Sequence, residues 1–598
     1  MLSRKQIWCA SVIIALCASL GLSAVTISQD GQAKAVIVIA VDAPEPEQYA
    51  ARELAEFLGK ITGAKFESAN QEKQDAPCIF VGPAAAKWAD EQVSMDGLGA
   101  EGIVIRTVGD DLVLAGGQPR GTLYAVCSFL EDQLGCRWWS STESTIPGRP
   151  TITVDGLNVR YVPVLEYRSP FWFDAFDGNW AARNKCNGQG HRLEARHGGK
   201  HIYEGFVHTF YPLIPPQKYF AEHPDWFSEI DGKRTTDHAQ LCLTNEEMRK
   251  ELVKNLKERL RNNPAATIAS VSQNDWIGNC KCKNCAAIEQ EEGSPAGLML
   301  RFVNAVAADI EQEFPNVAIS TLAYQYTRKP PKITKPRDNV IVQLCSIECS
   351  FCKPLADERN KAFRDDIVGW SPMSKRLYIW DYTTNFRHHI MPHPNLRVLG
   401  PNVKFFADHN VKGIFEQGAY TTNGAEMAEL RAWVLAKLLW DPSRDGEALT
   451  NEFIEGYYGP AAPHVKAYLK VTHDAVEASG DWLGCFEQNH AKFLNFDMLS
   501  HGWQCLKAAE TAAQDNPDLQ FRIQVAQLPV MYTFIVRWNE MREAAKAASA
   551  DWPMPQSAKE TCDQFLTIAR RKNVTRLNEW QDGFAALEQA VQKTNSQE

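Results

Sequence analysis

Eight short apolar runs recur through the middle of the chain, at 164–167, 205–209, 240–244, 267–272, 318–324, 340–345, 376–380 and 411–415, with helix-like segments between them. Runs of this length suit strands buried on both faces, and such strands pair in parallel when helices make the crossovers. Eight units in succession fit one closed sheet, so the expected fold class is α/β, a (β/α)8 TIM-like barrel over 155–445. The C-terminal ends of barrel strands converge on one mouth, and four of these runs deliver a carboxylate there: Asp275, Glu348, Asp381 and Glu416.

The flanking segments read differently. Residues 25–150 form a small α+β domain: a strand at 36–41, a helix over 46–62 closed by Gly63, a hairpin across 102–108 and 112–115, and a helix over 122–134. The loop at 116–121 is glycine-rich, yet it lacks the Lys-Ser/Thr pair of a P-loop and the spacing of a dinucleotide fingerprint. Beyond Pro442 the pattern turns helical, as at Phe565, Ile568 and Ala569, which makes 446–598 an α-helical C-terminal domain. Nothing in that domain suggests chemistry; it is the part through which a homodimer would form.

The first residues combine Arg4 and Lys5 with an apolar stretch from Ile7 to Leu22 and the small pair Ser23 and Ala24. This is the profile of a Sec signal peptide over 1–24, too short in its apolar part to span a membrane comfortably. The mature protein is expected to be secreted or periplasmic, with no membrane contact after cleavage. Leu16 before Cys17 argues against lipoprotein anchoring, because a small residue is wanted there. A net charge of −10 without any long Lys/Arg block excludes nucleic acid as a partner.

The stretch from Tyr49 to Gly63, and that from Ala115 to Tyr124 running on to Arg137 and Trp138, resemble the N-terminal domain that precedes the barrel in α-glucuronidases and β-hexosaminidases. Val342 to Leu344, ending in Glu348, resembles the α-glucuronidase strand that carries a catalytic Asp. Leu435 to Pro442, with Phe453 and Tyr457 to Gly459, resembles their post-barrel helix. The resemblance puts Asp275 at the general-acid position and matches Glu348 and Asp381 to the pair assisting water in an inverting mechanism. It also shows departures: the family acid is Glu, and lysines near the acid and in the sixth strand stand here as Val271 and Cys345. Glucuronate specificity is therefore not carried over with the fold. The chain is closer still to a large group of secreted bacterial proteins of unknown function, in which the Asn-Asp, Cys-x-Cys-x-x-Cys and Trp-Asp-Tyr patterns recur.

Glycosidic cleavage needs one protonated carboxyl to assist the leaving oxygen and one carboxylate to activate water or attack the sugar. Asp275, Glu348 and Asp381 are the candidates for these roles, with Glu416 orienting substrate. Arg168 and His208, near the ends of the first two runs, are placed to hold hydroxyls or carboxylates. Asn274 stands beside the acid, and Trp276, Tyr324 and Tyr382 offer faces for sugar rings. The expected function is that of a secreted, α-glucuronidase-like glycoside hydrolase acting on a plant or algal oligosaccharide or polysaccharide, with no cofactor in the chemistry. Two other readings stay open. One is a non-catalytic glycan-binding protein on a decayed hydrolase barrel; the other is a metal-dependent hydrolase.

Cys280, Cys282 and Cys285 are too close together for independent buried thiols. Their spacing admits structural zinc, which needs a fourth ligand, or disulfides pinning the loop, or free thiols. Cys345, Cys349, Cys352 or a histidine could supply the fourth ligand.

Overall fold

The computed structural model describes residues 24–72 and 75–595, so the leader expected over 1–24 lies outside the described residues save for Ala24. The N-terminal part is built on a six-stranded sheet in which Val36–Ile39 lies between Cys78–Val81 and Ser68–Ala69. Ile37 and Ile39 turn to one face, against the helices Glu45–Thr62 and Gly121–Asp132. Val36 and Val38 turn to the other, against Ala85 and Ala86 of Pro83–Ala89. A strand covered on both faces has no polar side to show, and this is why its sequence does not alternate. Gly63 ends the first helix in the left-handed region at φ 78, its N–H returning to the Gly59 carbonyl.

The central sheet has seven strands: β1 (Tyr167–Phe171), β2 (Tyr203–Glu204), β3 (Ile268–Ser270), β4 (Ala318–Ala323), β5 (Val340–Cys345), β6 (Leu377–Tyr382) and β7 (Val411–Gln417). Their order is β1-β7-β6-β5-β4-β3-β2 and every pair is parallel. The first strand therefore lies beside the last, as in a sheet curling on itself, but among the described residues no ladder joins β1 to β2. Inside the curl pack Tyr167, Phe171, Tyr203, Ile268, Ile341, Tyr378, Trp380 and Phe415, with Tyr167 and Tyr378 stacked at 5.5 Å. The alternate residues, such as Ile379 and Ile414, join the outer core with helices Pro295–Glu311, Leu396–Asp408 and Ala428–Trp440.

Two expected strands fare differently from the rest. The run at 240–244 forms none; Leu241 makes one isolated bridge to Phe227, and the Gln240 amide donates instead to the carbonyls of Asn274, Trp276 and Ile277. A strand would have spent its hydrogen bonds on a neighbour, whereas this segment spends them on a loop. The run at 205–209 gives way to the shorter β2, because Gly205, Val207 and His208 have φ of 68, 57 and 54. Left-handed residues cannot continue a strand.

The seam between the N-terminal part and the sheet is polar and buried. Arg168, expected at the substrate, is 1% exposed and turned away from the mouth. Its Nη1 donates to Glu101 Oε2 at 2.7 Å and to the Leu165 carbonyl, and its Nε to the carbonyl of Lys185. Burial alone would raise the Glu101 carboxyl, but the Arg168 and Arg120 guanidiniums hold it down at about 2. Glu131 is gripped likewise by Lys185 at 2.6 Å and by Lys437 of the helix Ala428–Trp440. After Gly446–Tyr458 the chain continues as helices, among them Ala462–Ser479, Phe496–Ala512, Pro517–Val536 and Ala558–Arg571.

Removing one member of a buried ion pair strands the other, at a cost of about 3–5 kcal/mol. Arg168→Gln leaves Glu101 still paired with Arg120, so it should lower unfolding free energy by somewhat less, on the order of 1–3 kcal/mol, in a denaturant titration. A fully stable variant that binds substrate less well would return Arg168 to the mouth.

Candidate functional site

At the C-terminal ends of the strands lies a cavity of about 330 Å³. Its floor is aromatic: Phe171 of β1 packs on Phe415 of β7 at 4.7 Å, and Phe206 stacks on Trp380 of β6 at 5.5 Å. Trp380 and Tyr382 stack in turn, with centroids 6.3 Å apart.

One wall carries Asp275. Beyond β3 the chain leaves the sheet, and two of the next side chains are tied down on every polar atom. Gln273 donates to the Tyr324 carbonyl at 2.9 Å and accepts from Thr327 Oγ1 at 2.7 Å. Asn274 donates to the Ala239 carbonyl at 2.9 Å and accepts from the Tyr211 N–H at 3.2 Å. Asp275 follows, exposed, its Oδ1 accepting from the Tyr324 hydroxyl at 3.2 Å. His208 stands 3.7 Å away through Nε2, while its Nδ1 donates to the Gln273 carbonyl at 2.8 Å.

The same cavity is lined by Glu579, in the loop 572–583 between the last two helices. Its Oε1 accepts from the Tyr420 hydroxyl at 3.1 Å and from Gln417 Nε2 at 3.2 Å. Gln417 accepts in turn from the Trp380 indole at 2.8 Å. The loop is fastened to the mouth by its backbone: Glu579 N–H donates to the Phe386 carbonyl, and Thr575 Oγ1 to that of Thr421. Burial pushes the Glu579 carboxyl up, and the Asp275 charge across the cavity pushes it further, against the two hydrogen bonds that lower it.

Of the residues nominated from the sequence, Asp275, His208, Tyr324 and Tyr382 line this cavity. The others do not. Glu348 is exposed on the loop after β5 and pairs with Arg328 at 2.7 Å, which also holds Asp366. Asn274 is a buried support for Asp275, and half-buried Trp276 spends its indole N–H on the Ala239 carbonyl at 2.7 Å. Asp381 and Glu416 fall between cavity-lining neighbours, Trp380 and Tyr382 on β6, Phe415 and Gln417 on β7, so alternation turns both to the outer face. They are partners in register there, buried side by side. Asp381 accepts from Ser346 Oγ and from the Tyr382 N–H, whereas neither oxygen of Glu416 has a partner. Burial raises Asp381 to about 6, and burial together with Asp381 raises Glu416 well above the carboxylate range.

Sequence reading missed Glu579, Gln417 and Tyr420, and the C-terminal domain, read as carrying no chemistry, contributes Glu579 to the lining of the cavity. A signal was there: a long loop rich in Asn, Asp and Gly, holding Glu579 and Trp580, interrupts continuous helices, and such loops are more often functional than ordinary connections.

The outer pair yields a test of its placement. A carboxyl raised in the folded state favours folding at pH below the unfolded carboxylate range, and that contribution is lost as pH rises to the folded value. Glu416→Gln should therefore be more stable than the parent at pH 7.5 by about 1–3 kcal/mol. The gain should vanish near pH 4 in parallel thermal or denaturant unfolding. A pH-independent difference would contradict a raised, buried Glu416 carboxyl.

Residues 138–470, more than half of the chain, match the family model described as Domain of unknown function (DUF4838). Residues 23–129 match that described as Glycosyl hydrolase family 67 N-terminus, in agreement with the resemblance to α-glucuronidases. No curated protein matches the sequence. Among solved structures the chain is similar to BtGH115A, described as a family GH115 4-O-methyl-α-glucuronidase with specificity for decorated arabinogalactans. The two are 11% identical with a TM-score of 0.58, over 94% of this chain and 78% of that one. It is also similar to a GH138 enzyme targeting pectin rhamnogalacturonan II (10% identity, TM-score 0.41, 94% and 99% covered). A third is CpGH84B (11% identity, TM-score 0.47, 96% and 98% covered). The likeness to BtGH115A is one of fold: a mixed α/β architecture around a curled parallel sheet, of glycoside-hydrolase type.

Proposed function

The chain belongs to the family described as Domain of unknown function (DUF4838), and because that name carries no activity, we propose one from the chemistry of the mouth: hydrolysis of a glycosidic bond between Asp275 and Glu579. The observation that carries this reading is the pair itself, two carboxyl groups from remote parts of the chain brought to the lining of one aromatic-floored cavity, close enough for the Asp275 charge to act on Glu579. The curled sheet serves as a barrel of the (β/α)8 type, in which β2 pairs directly with β3 and the run 240–244 lies outside the sheet. The protein is exported, and its substrate is an oligosaccharide cut from a plant or algal polysaccharide.

The environments separate the roles. Glu579, whose carboxyl burial and the Asp275 charge push up, gives its proton to the leaving oxygen. Asp275, open to solvent and held by Tyr324, is the carboxylate that activates water or attacks the anomeric carbon. This assignment reverses the one carried by the α-glucuronidase resemblance, where Asp275 would be the acid. His208 and Tyr324 orient Asp275, Gln417 and Tyr420 orient Glu579, and Trp380 with Phe206 offers an apolar face to a sugar ring.

Sugar release from a panel of plant and algal oligosaccharides, uronate-capped ones included, tests the pair. Asp275→Asn and Glu579→Gln should each lose about 10²–10⁴-fold in kcat, while Glu348→Gln should stay near the parent rate. Binding without release by all proteins would replace hydrolysis with glycan binding. The direction of a pH shift gives an independent check. Tyr420 donates the hydrogen bond that lowers the Glu579 pKa, so Tyr420→Phe should move the alkaline limb of kcat/KM to higher pH. If Asp275 were the acid, that limb would not move upward.

A further inference from the structure

The cysteine cluster has a fourth member that the sequence did not point to. The Sγ atoms of Cys242, Cys280, Cys282 and Cys285 all lie within 4.8 Å of one another. Cys345, Cys349 and Cys352 are not among them. Cys242 Sγ is 3.8 Å from that of Cys282 and 3.8 Å from that of Cys285. A disulfide would bring two sulfurs to about 2.05 Å. Four thiolates around a zinc ion, each about 2.3 Å from it, stand about 3.8 Å apart along the edges of the tetrahedron. The observed separations are those of ligands sharing an ion.

The surroundings suit a charged tetrathiolate. The Glu229 N–H donates to Cys280 Sγ at 3.3 Å, Arg234 Nη1 reaches it at 3.6 Å, and Thr244 Oγ1 lies 3.3 Å from Cys285 Sγ. Such donors stabilise coordinated thiolates and fix their direction. Leu298 and partly buried Leu243 and Ile288 close the cluster from the apolar side.

We propose that these four cysteines bind one structural zinc ion, and that the ion ties the segment of Cys242 to the loop that follows Asp275. Cys242 comes from the segment where a strand was expected, and the other three from the loop after Asp275, so the ion joins two stretches that share few backbone bonds. Gln240, two residues before Cys242, holds the carbonyls on either side of Asp275. With four protein ligands the ion has no open position, so its part is structural rather than hydrolytic. The zinc assignment stands apart from the hydrolase reading; only the link through Gln240 to Asp275 rests on it.

Elemental analysis of the purified full chain should find about one zinc per chain. Titration with a mercurial thiol reagent should release that zinc to a chromophoric chelator, and the cobalt(II)-exchanged protein should show thiolate-to-cobalt charge transfer with tetrahedral ligand-field bands. Cys242→Ser should lose most of the metal, whereas Cys505→Ser, outside the cluster, should keep it. Should Cys242→Ser fail to fold, the cobalt spectrum and zinc release of the parent decide the matter. Metal-free parent protein with these thiols oxidised to disulfides would overturn the proposal, as would full zinc occupancy in folded Cys242→Ser. Metal loss in Cys242→Ser together with unchanged sugar release would uphold the zinc assignment and overturn only its link to Asp275.

Discussion

An extended chain turns successive side chains to opposite faces of its sheet, and that parity governs what the mouth of this protein contains. On β6, Trp380 and Tyr382 face inward and Asp381 cannot; on β7, Phe415 and Gln417 face inward and Glu416 cannot. Because Asp381 and Glu416 are also opposite each other in register, the parity that removes them from the cavity presses them together behind it. Strands this aromatic on the inner side supply stacking surfaces and no carboxylate. The acids must then arrive from places where the chain has left the sheet, and they do: Asp275 from the turn after β3, Glu579 from the loop between the last helices.

A carboxylate on a turn is useful only if the turn is stiff, and here neutral amides do the stiffening. Gln240, Gln273 and Asn274 are buried, and each uses both its donor and its acceptor on backbone or hydroxyl groups of neighbouring segments. A fully satisfied network of this kind specifies one geometry, because breaking any link leaves a polar group dry. The run Gln273, Asn274, Asp275 thus divides its labour, two residues fixing the backbone and the third left free for chemistry. The same network explains why 240–244 is no strand: its most useful side chain is engaged sideways.

Much of this architecture was legible in the sequence. Apolar runs mark buried parallel strands well, as Val340 to Val342 does for β5, and six of the eight expected runs overlap a strand of the sheet. Helix ends were legible where a glycine must turn left-handed, as at Gly63. What could not be read was facing and distance. Asp381 and Asp275 look alike in sequence, each a carboxylate after an apolar run, but one is still inside the strand and subject to its parity while the other is two residues beyond Gln273 and free of it. Arg168 looked like a mouth residue because it follows the expected run 164–167, whereas the strand begins at Tyr167; its partner Glu101 lies in another part of the chain, and no local pattern announces such a pairing. Cys242 and Glu579 are of the same kind, single residues whose meaning comes from what the fold sets beside them.

The short second strand ties these features together. Val207 and His208 are consecutive left-handed residues without being glycine, a conformation that costs on the order of 1–3 kcal/mol for each, and more uncomfortably for a β-branched valine. The bonds that impose it run to β3 and its exit: the N–H groups of Thr209 and Phe210 both reach the Ser272 carbonyl, Thr209 Oγ1 donates to the Ser270 carbonyl, and His208 to that of Gln273. The Thr209 side chain thus does what a continuing strand would have done with its backbone. Leaving the sheet after Glu204 sends His208 across to Asp275, and by the same departure β2 has no further edge to offer β1. The open seam of the sheet and the charged wall of the cavity are therefore two results of one turn.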